Sequence, residues 1–294
     1  MSKFSVADCY PNMLEIIDRA KDVGLKVWLN FWAYGGVFGG EAYSGFLHHN
    51  HRYRQITAES KEAVPSACIN SEVFRTYFHN EVRKIIKDSH IDGIFLDEPH
   101  YYPLFSKSEF TCICEECQEA YEKMHSEKMP MEYTDQIETF REESMFRFLS
   151  DTCGLVKSSK KTTEVCVCVL PVEGPMFGTI DWERIASMPN VDMFSTDPYY
   201  HVFGKSKKWA LEVAKKAIRV AKKYEKKSQL WLQLFRLPRG QEKAVSALIP
   251  EFNELGVDSL FGWSYLANKG THIASDEPEL LWKYVTEQFV SLGE

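Results

Sequence analysis

The residues best suited to chemistry are two adjacent carboxylates, Asp97 and Glu98, which close the apolar run His90-Ile-Asp-Gly-Ile-Phe-Leu-Asp-Glu-Pro-His-Tyr-Tyr102. Acids delivered to the end of a strand can donate or accept protons or act as nucleophiles; the plainer alternative is that they cap a turn. Strand alternation assigns Gly93, Phe95 and Asp97 to one face and Ile94, Leu96 and Glu98 to the other. A second run, Val191-Asp-Met-Phe-Ser-Thr-Asp197, also ends on an acid followed by proline and tyrosines. An Asp-Pro turn is the competing reading there. Cys112-Ile-Cys114-Glu-Glu-Cys117 sets three thiols at metal-ligand spacing. A structural zinc site needs four ligands, and Cys68, Cys153 and Cys9 are the candidates for the fourth; otherwise these are buried free thiols.

The bulk numbers bound what these residues can serve. A chain of 294 residues that is 44% hydrophobic and 14% aromatic can bury a substantial core. Its net charge of −7 argues against a nucleic-acid groove. The basic stretch from Lys205 to Lys227 has helical spacing and reads as a solvated helix face. No window reaches the roughly 20 apolar residues of a membrane span, and Met1-Ser-Lys-Phe4 lacks the apolar core of a secretory signal. The expected location is therefore cytoplasmic. Eight cysteines are too sparse for a disulfide framework, which favours reduced thiols or a metal.

The elements that must position the acids alternate. A helix over 11–23 opens on Pro11 and stops at Gly24; a buried strand follows at Leu25–Trp32, then a glycine-rich turn. Residues 42–70, with His48, His49 and His51, read as a long loop holding a short hairpin. Ser71 caps a helix carrying Phe74, Phe78, Val82, Ile85 and Ile86 on one face. Helices are expected near 114–126, 136–158, 181–187, 206–226, 241–255 and 276–291. Strands are expected near 26–32, 91–97, 164–170, 191–196, 229–235 and 258–264. Alternation of this kind predicts a parallel sheet with crossover helices. The glycines at 35–40 do not match a dinucleotide fingerprint, whereas Trp32, Asp97, Glu98, Glu173, Asp197, Gln233, Arg236 and Trp263 all fall at strand ends, as a (β/α)8 TIM barrel requires. The expectation is a single domain over 1–294 with a loop insertion at 33–70 and a cysteine-rich, helical insertion at 103–160.

Several segments together, Gly24–Trp32 with its following Gly-Gly-Val-Phe-Gly-Gly-Glu41, Ala67–Arg75, Asp92–Pro99 and the Cys-x-Cys-x-x-Cys cluster, resemble the glycoside-hydrolase-like TIM-barrel proteins. The resemblance implies that Asp97 and Glu98 close barrel strand four. Leu25–Trp32 would then be strand three. The barrel would be incomplete at its N-terminus, with about six βα units and the first two strands lacking, Phe4-Ser-Val6 being the stub of strand two. The uncovered edges would be closed by a second copy, by loops, or not at all if the chain starts too late.

Glycoside hydrolysis needs a carboxyl that protonates the leaving oxygen and another that attacks or activates water. Barrels with Asn-Glu-Pro at strand four place a second Glu on strand seven, where this chain has Gln233 and Arg236. The clan typified by α-galactosidases uses an Asp on strand four and one on strand six, which Asp97 and Asp197 match, with Glu98 as the substitute. Trp32, Tyr101, Tyr199, Tyr200 and Trp263 suit stacking on sugar rings, although aromatics are also ordinary core residues. Glu41, His100, Glu173, Gln233 and Arg236 complete the expected substrate-binding rim. No cofactor is expected for catalysis. Similar clusters hold structural zinc in some barrel β-galactosidases, which favours a metal here; the expected ligands are Cys112, Cys114 and Cys117, with Cys68 taken from the three candidates as the fourth. The expected partner is a carbohydrate substrate, with no nucleic acid or membrane. The alternative is a catalytically inactive carbohydrate-binding barrel; a metal-dependent lyase or isomerase ranks last, because the histidines gather at 48–51.

Overall fold

The computed structural model describes residues 6–32, 45–102, 108–172 and 181–293. Six strands alternate with helices and form one parallel sheet in the order β1-β4-β5-β6-β7-β8, an incomplete (β/α) barrel. The chain divides into two compact units, and the division falls inside β5.

The first unit opens with α1 (Val6–Asp22), which begins before the expected Pro11 and contains it. Proline removes one backbone donor and its ring crowds the carbonyl four residues back, and the helix nevertheless runs through it, close to its start. The same helix takes in Val6, and Phe4 and Ser5 lie outside the described residues. Gly24, at φ 81°, ends α1 in the left-handed conformation that glycine tolerates. β1 (Trp28–Trp32) follows, then α2 (Gly45–His49), a single 3-10 turn, and the antiparallel hairpin of β2 (Arg54–Ile56) and β3 (Ala63–Ala67). α3 (Glu72–Asp88) starts where Ser71 accepts a hydrogen bond from the Phe74 amide, and its five predicted apolar residues are all buried. β4 (Gly93–Asp97) leads to α4 (Glu115–His125), α5 (Asp135–Ser159) and β5 (Glu164–Val169).

The β1–β4 pairing fixes the site. Trp28, Leu29, Asn30, Phe31 and Trp32 stand opposite Gly93, Ile94, Phe95, Leu96 and Asp97. Asp92 anchors the other end of the pair: its carboxylate accepts from the Val27 amide at 2.7 Å and meets Lys21 Nζ at 2.7 Å. The two faces then separate. Phe31 packs edge-on against Phe78 of α3 at 5.4 Å between ring centres. Opposite faces alternate along each strand, so Trp28, Asn30, Gly93, Phe95 and Asp97 look away from α3. A Cβ on Gly93 would stand 2.4 Å from the Trp28 indole, so the ring lies where any other residue would have its side chain.

The second unit carries α6 (Trp182–Ala186), β6 (Met193–Thr196), α7 (Lys207–Lys223), β7 (Lys227–Gln233), α8 (Glu242–Ser246), α9 (Leu248–Glu254), β8 (Ser259–Trp263) and α10 (Pro278–Leu292). The single helix expected over 241–255 is thus two short ones. Ser195 stands opposite Gln229, and Gln233 opposite Trp263. Among the described residues no helix is long and apolar enough to cross a membrane.

Gly93→Ala is expected to displace the Trp28 ring and to cost about 1–3 kcal/mol of stability, the range for overpacking a filled site. Urea unfolding followed by tryptophan fluorescence checks it, and an unchanged midpoint and spectrum would contradict the contact.

Candidate functional site

Asp97 is the last residue of β4 and is partly exposed on the face turned away from α3. Asn30 of β1 lies two residues back on that face, and its Nδ2 donates to Asp97 Oδ2 at 2.8 Å. Glu98 follows, with a φ of 42° that is uncommon for a residue with a side chain. His100 Nδ1 lies 2.5 Å from the Glu98 carbonyl oxygen. A carbonyl can only accept, so Nδ1 carries the hydrogen and Nε2 is left as the basic nitrogen. His100 is buried, and that burial lowers its pKa below the ordinary histidine value, against the pull of Glu98. Tyr101 is also buried: its hydroxyl donates to the Arg141 carbonyl at 3.3 Å, its ring faces the Arg141 guanidinium at 4.5 Å, and burial pushes its pKa well up.

The other expected rim residues take varied positions. Trp32 is the register partner of Asp97. Glu41 and Glu173 lie outside the described residues. Asp197 follows β6 at 4% exposure, in a turn where its carbonyl accepts from the Tyr199 amide. Tyr199 is half-buried, edge-on to Phe235 at 5.4 Å. Gln233 is buried with its amide committed to backbone, accepting from Val202 N at 3.2 Å and donating to the Phe235 carbonyl at 2.9 Å. Arg236 is exposed at φ 49°, and Trp263 is half-buried at the end of β8.

Four thiols converge in the first unit. Cys68 follows β3, Cys112 lies on a strap beside β2, Cys114 caps α4 and Cys117 is in its first turn. The strap is held by Ala58 N to the Phe110 carbonyl and Ile113 N to the Ile56 carbonyl. All four sulfurs are buried and lie within 4.8 Å of one another, with Cys68 3.4 Å from Cys117 and 3.3 Å from Cys114. A tetrahedral zinc with Zn–S bonds of about 2.3 Å requires sulfurs about 3.8 Å apart, which these separations bracket. The donors present suit thiolates: Ile56 N points at Cys112 Sγ and Asn70 Nδ2 at Cys117 Sγ. Burial opposes ionisation of Cys112, but hydrogen bonds from Cys114, Cys117 and Cys68 outweigh it and hold its pKa well below the usual thiol value, while the same mutual hydrogen bonds push the Cys68 and Cys117 thiols well above it. The residues fit zinc, and four protein ligands leave no open position for a reacting water. A metal held by these four thiols would be structural in kind. Cys153, Cys166 and Cys168 are buried in helix and strand.

Gln55 is a residue that pattern reading passes over. Buried in β2, it donates through Nε2 to Ser66 Oγ and the Ala67 carbonyl, and its Oε1 accepts from Thr111 Oγ1 at 2.7 Å and Tyr102 N at 3.0 Å. All four of its hydrogen-bonding capacities are used. One amide therefore ties the cysteine strap to the turn that follows Asp97.

No protein-family model and no curated protein matches the chain. Solved structures do. The catalytic domain of β-amylase from Paenibacillus polymyxa aligns with TM-score 0.65 at 10% identity, over 93% of this chain and 85% of that one. A β-galactosidase from the Antarctic haloarchaeon Halorubrum lacusprofundi aligns with TM-score 0.71 at 10% identity, over 97% of this chain and 51% of that one. The PgaB glycoside hydrolase domain from Bordetella bronchiseptica aligns with TM-score 0.58 at 12% identity, over 90% and 77%. The fold is that of the glycoside-hydrolase barrels. Within this glycosidase-like fold the chain spans about half the length of the β-galactosidase it matches.

Two outcomes are expected. Protein refolded with zinc should hold one ion per chain by mass spectrometry under non-denaturing conditions, and Cys117→Ser should lose it and melt at lower temperature; metal-free protein of unchanged Tm would contradict the site. The lowered pKa of His100 means that the unfolded chain takes up the proton first as pH falls. Stability should decline below the ordinary histidine value of about 6.5, and His100→Gln should flatten that decline. Parallel profiles for the two proteins would contradict it.

Proposed function

We propose that the protein is a glycoside hydrolase acting on a glycan or oligosaccharide, with Asp97 and Asp197 as the candidate carboxylates and Glu98 as the substitute. The observation that carries the reading is Asp97 itself: a carboxylate at the C-terminal end of a strand in a glycosidase-like barrel, on the face away from the covering helix and held by a side-chain amide. In barrels of this kind chemistry belongs to the C-terminal strand ends. Both carboxylate functions of glycoside hydrolysis can be met by Asp or Glu without a cofactor. Trp32, Tyr199 and Trp263 are offered as sugar-stacking groups, and Glu41, Glu173, His100, Tyr101, Gln233 and Arg236 as the remaining rim. The cysteine group would hold zinc as a structural ion, keeping the strap and the turn after β4 in place through Gln55.

The test is turnover of a panel of aryl α- and β-glycosides by the wild-type protein. Asp97→Asn and Asp197→Asn should each lower turnover by at least the 10²–10⁴-fold, roughly, that removal of an acid/base group costs, while sugar binding measured by calorimetry persists. Sugar binding without turnover in the wild type would favour the inactive carbohydrate-binding barrel instead.

A further inference from the structure

We propose that Asn70 is a positioning residue for the cysteine group: its side-chain amide donates to the Cys117 sulfur, offsets the negative charge that this sulfur carries when zinc is bound, and so sets how tightly the ion is held. The inference rests on the metal reading of the four thiols and is independent of the reaction at Asp97.

The geometry starts from a turn. The Ser71 amide donates to the Cys68 carbonyl at 3.1 Å, closing a turn over Ile69 and Asn70, and Ser71 then caps α3. Asparagine is common in turns because its side chain can bond to nearby backbone. Here the side chain reaches further: Nδ2 lies 3.3 Å from Cys117 Sγ, 47 residues on, and 3.1 Å from Ser144 Oγ of α5, 74 residues on. An amide nitrogen carries two hydrogens, one for each partner. A metal-bound thiolate has no hydrogen and can only accept, so the nitrogen of the amide must face it. Ser144 is buried, and its bond orients the amide from the side of α5.

Charge balance gives the sulfur contact its weight. A divalent ion leaves its coordinating thiols deprotonated, and four thiolates carry more negative charge than one such ion neutralises. All four cysteines are buried, where uncompensated charge is costly unless hydrogen bonds meet it. Among the described residues, the N–H donors that reach these sulfurs are Ile56 N and Cys114 N on Cys112, at 3.4 and 3.5 Å, and Asn70 Nδ2 on Cys117. The first two belong to the backbone. Asn70 is the side chain among them, and the charge on Cys117 depends on it.

The experiment uses the full chain loaded with zinc and, in parallel, with cobalt(II). Asn70→Leu should weaken zinc binding by roughly 10–100-fold in competition with a chelator, the range for losing a group that hydrogen-bonds a metal ligand. It should also move the sulfur-to-cobalt charge-transfer band to lower energy, because a sulfur without its donor gives up electron density more readily. Asn70→Asp keeps the shape, removes the N–H and adds a like charge; it should lose zinc at least as readily, and it serves if the Leu variant fails to fold. Ser144→Ala, which keeps the sulfur contact, separates positioning from packing: it should lower Tm while leaving zinc affinity and the cobalt band near their wild-type values. Affinity and band unchanged in a folded Asn70 variant overturn the proposal, and so does a loss of zinc in Ser144→Ala equal to that in Asn70→Leu. A wild type that takes up neither ion overturns the metal reading and the inference with it.

Discussion

The structure of the site depends on the parallel register between β1 and β4. Five consecutive pairs, from Trp28 opposite Gly93 to Trp32 opposite Asp97, decide which side chains share a face. A slip of one residue would turn Asp97 toward α3 and bring Leu96 to the open side. Two features hold the register. Asp92 binds the Val27 amide and Lys21 at the N-terminal end. The Trp28 indole occupies the space that Gly93 leaves free. At the other end of the same pair, that register brings Asn30 to Asp97.

A second constraint acts after β4, where regular pairing ends. The chain continues through a left-handed Glu98 and two buried residues, His100 and Tyr101. Backbone beyond the strand must find partners outside the sheet. Tyr102 finds Gln55, and Gln55 is bound to Thr111, next to Cys112. The cysteine group is thus linked through the Gln55 amide to the segment that follows Asp97. An ion in that group would stiffen the strap without taking part in the reaction.

Much of the frame was legible from residue patterns because it depends on local periodicity. The six strands fall where apolar runs place them, Ser71 caps α3 as its position predicts, and the hairpin lies inside the expected loop. Cys68, one of three candidates for the fourth place, joins the cysteine group. What could not be read is what depends on register and on distant pairing. Asn30 is one polar residue inside an apolar strand, and nothing within β1 says that it meets a carboxylate 67 residues away. Gln55 is likewise defined by partners on three separate segments. Pro11 suggested a helix start because proline favours the first turn, but a helix can run through a proline near its beginning. Alternation gave the face of Asp97 correctly, whereas His100 and Tyr101 lie beyond the strand, where alternation no longer applies.

The central claim is that the β4 end, with Asp97 held by Asn30, is where a sugar is engaged. A crystal structure of the Asp97→Asn protein soaked with a mixture of α- and β-linked disaccharides tests it most directly. The account predicts sugar density within hydrogen-bonding distance of residue 97, on the face of β1 and β4 that carries Asn30. Density confined to another surface, such as the cleft of Arg75, His79 and Arg83 beside Asp151, or no bound sugar at all, would contradict it.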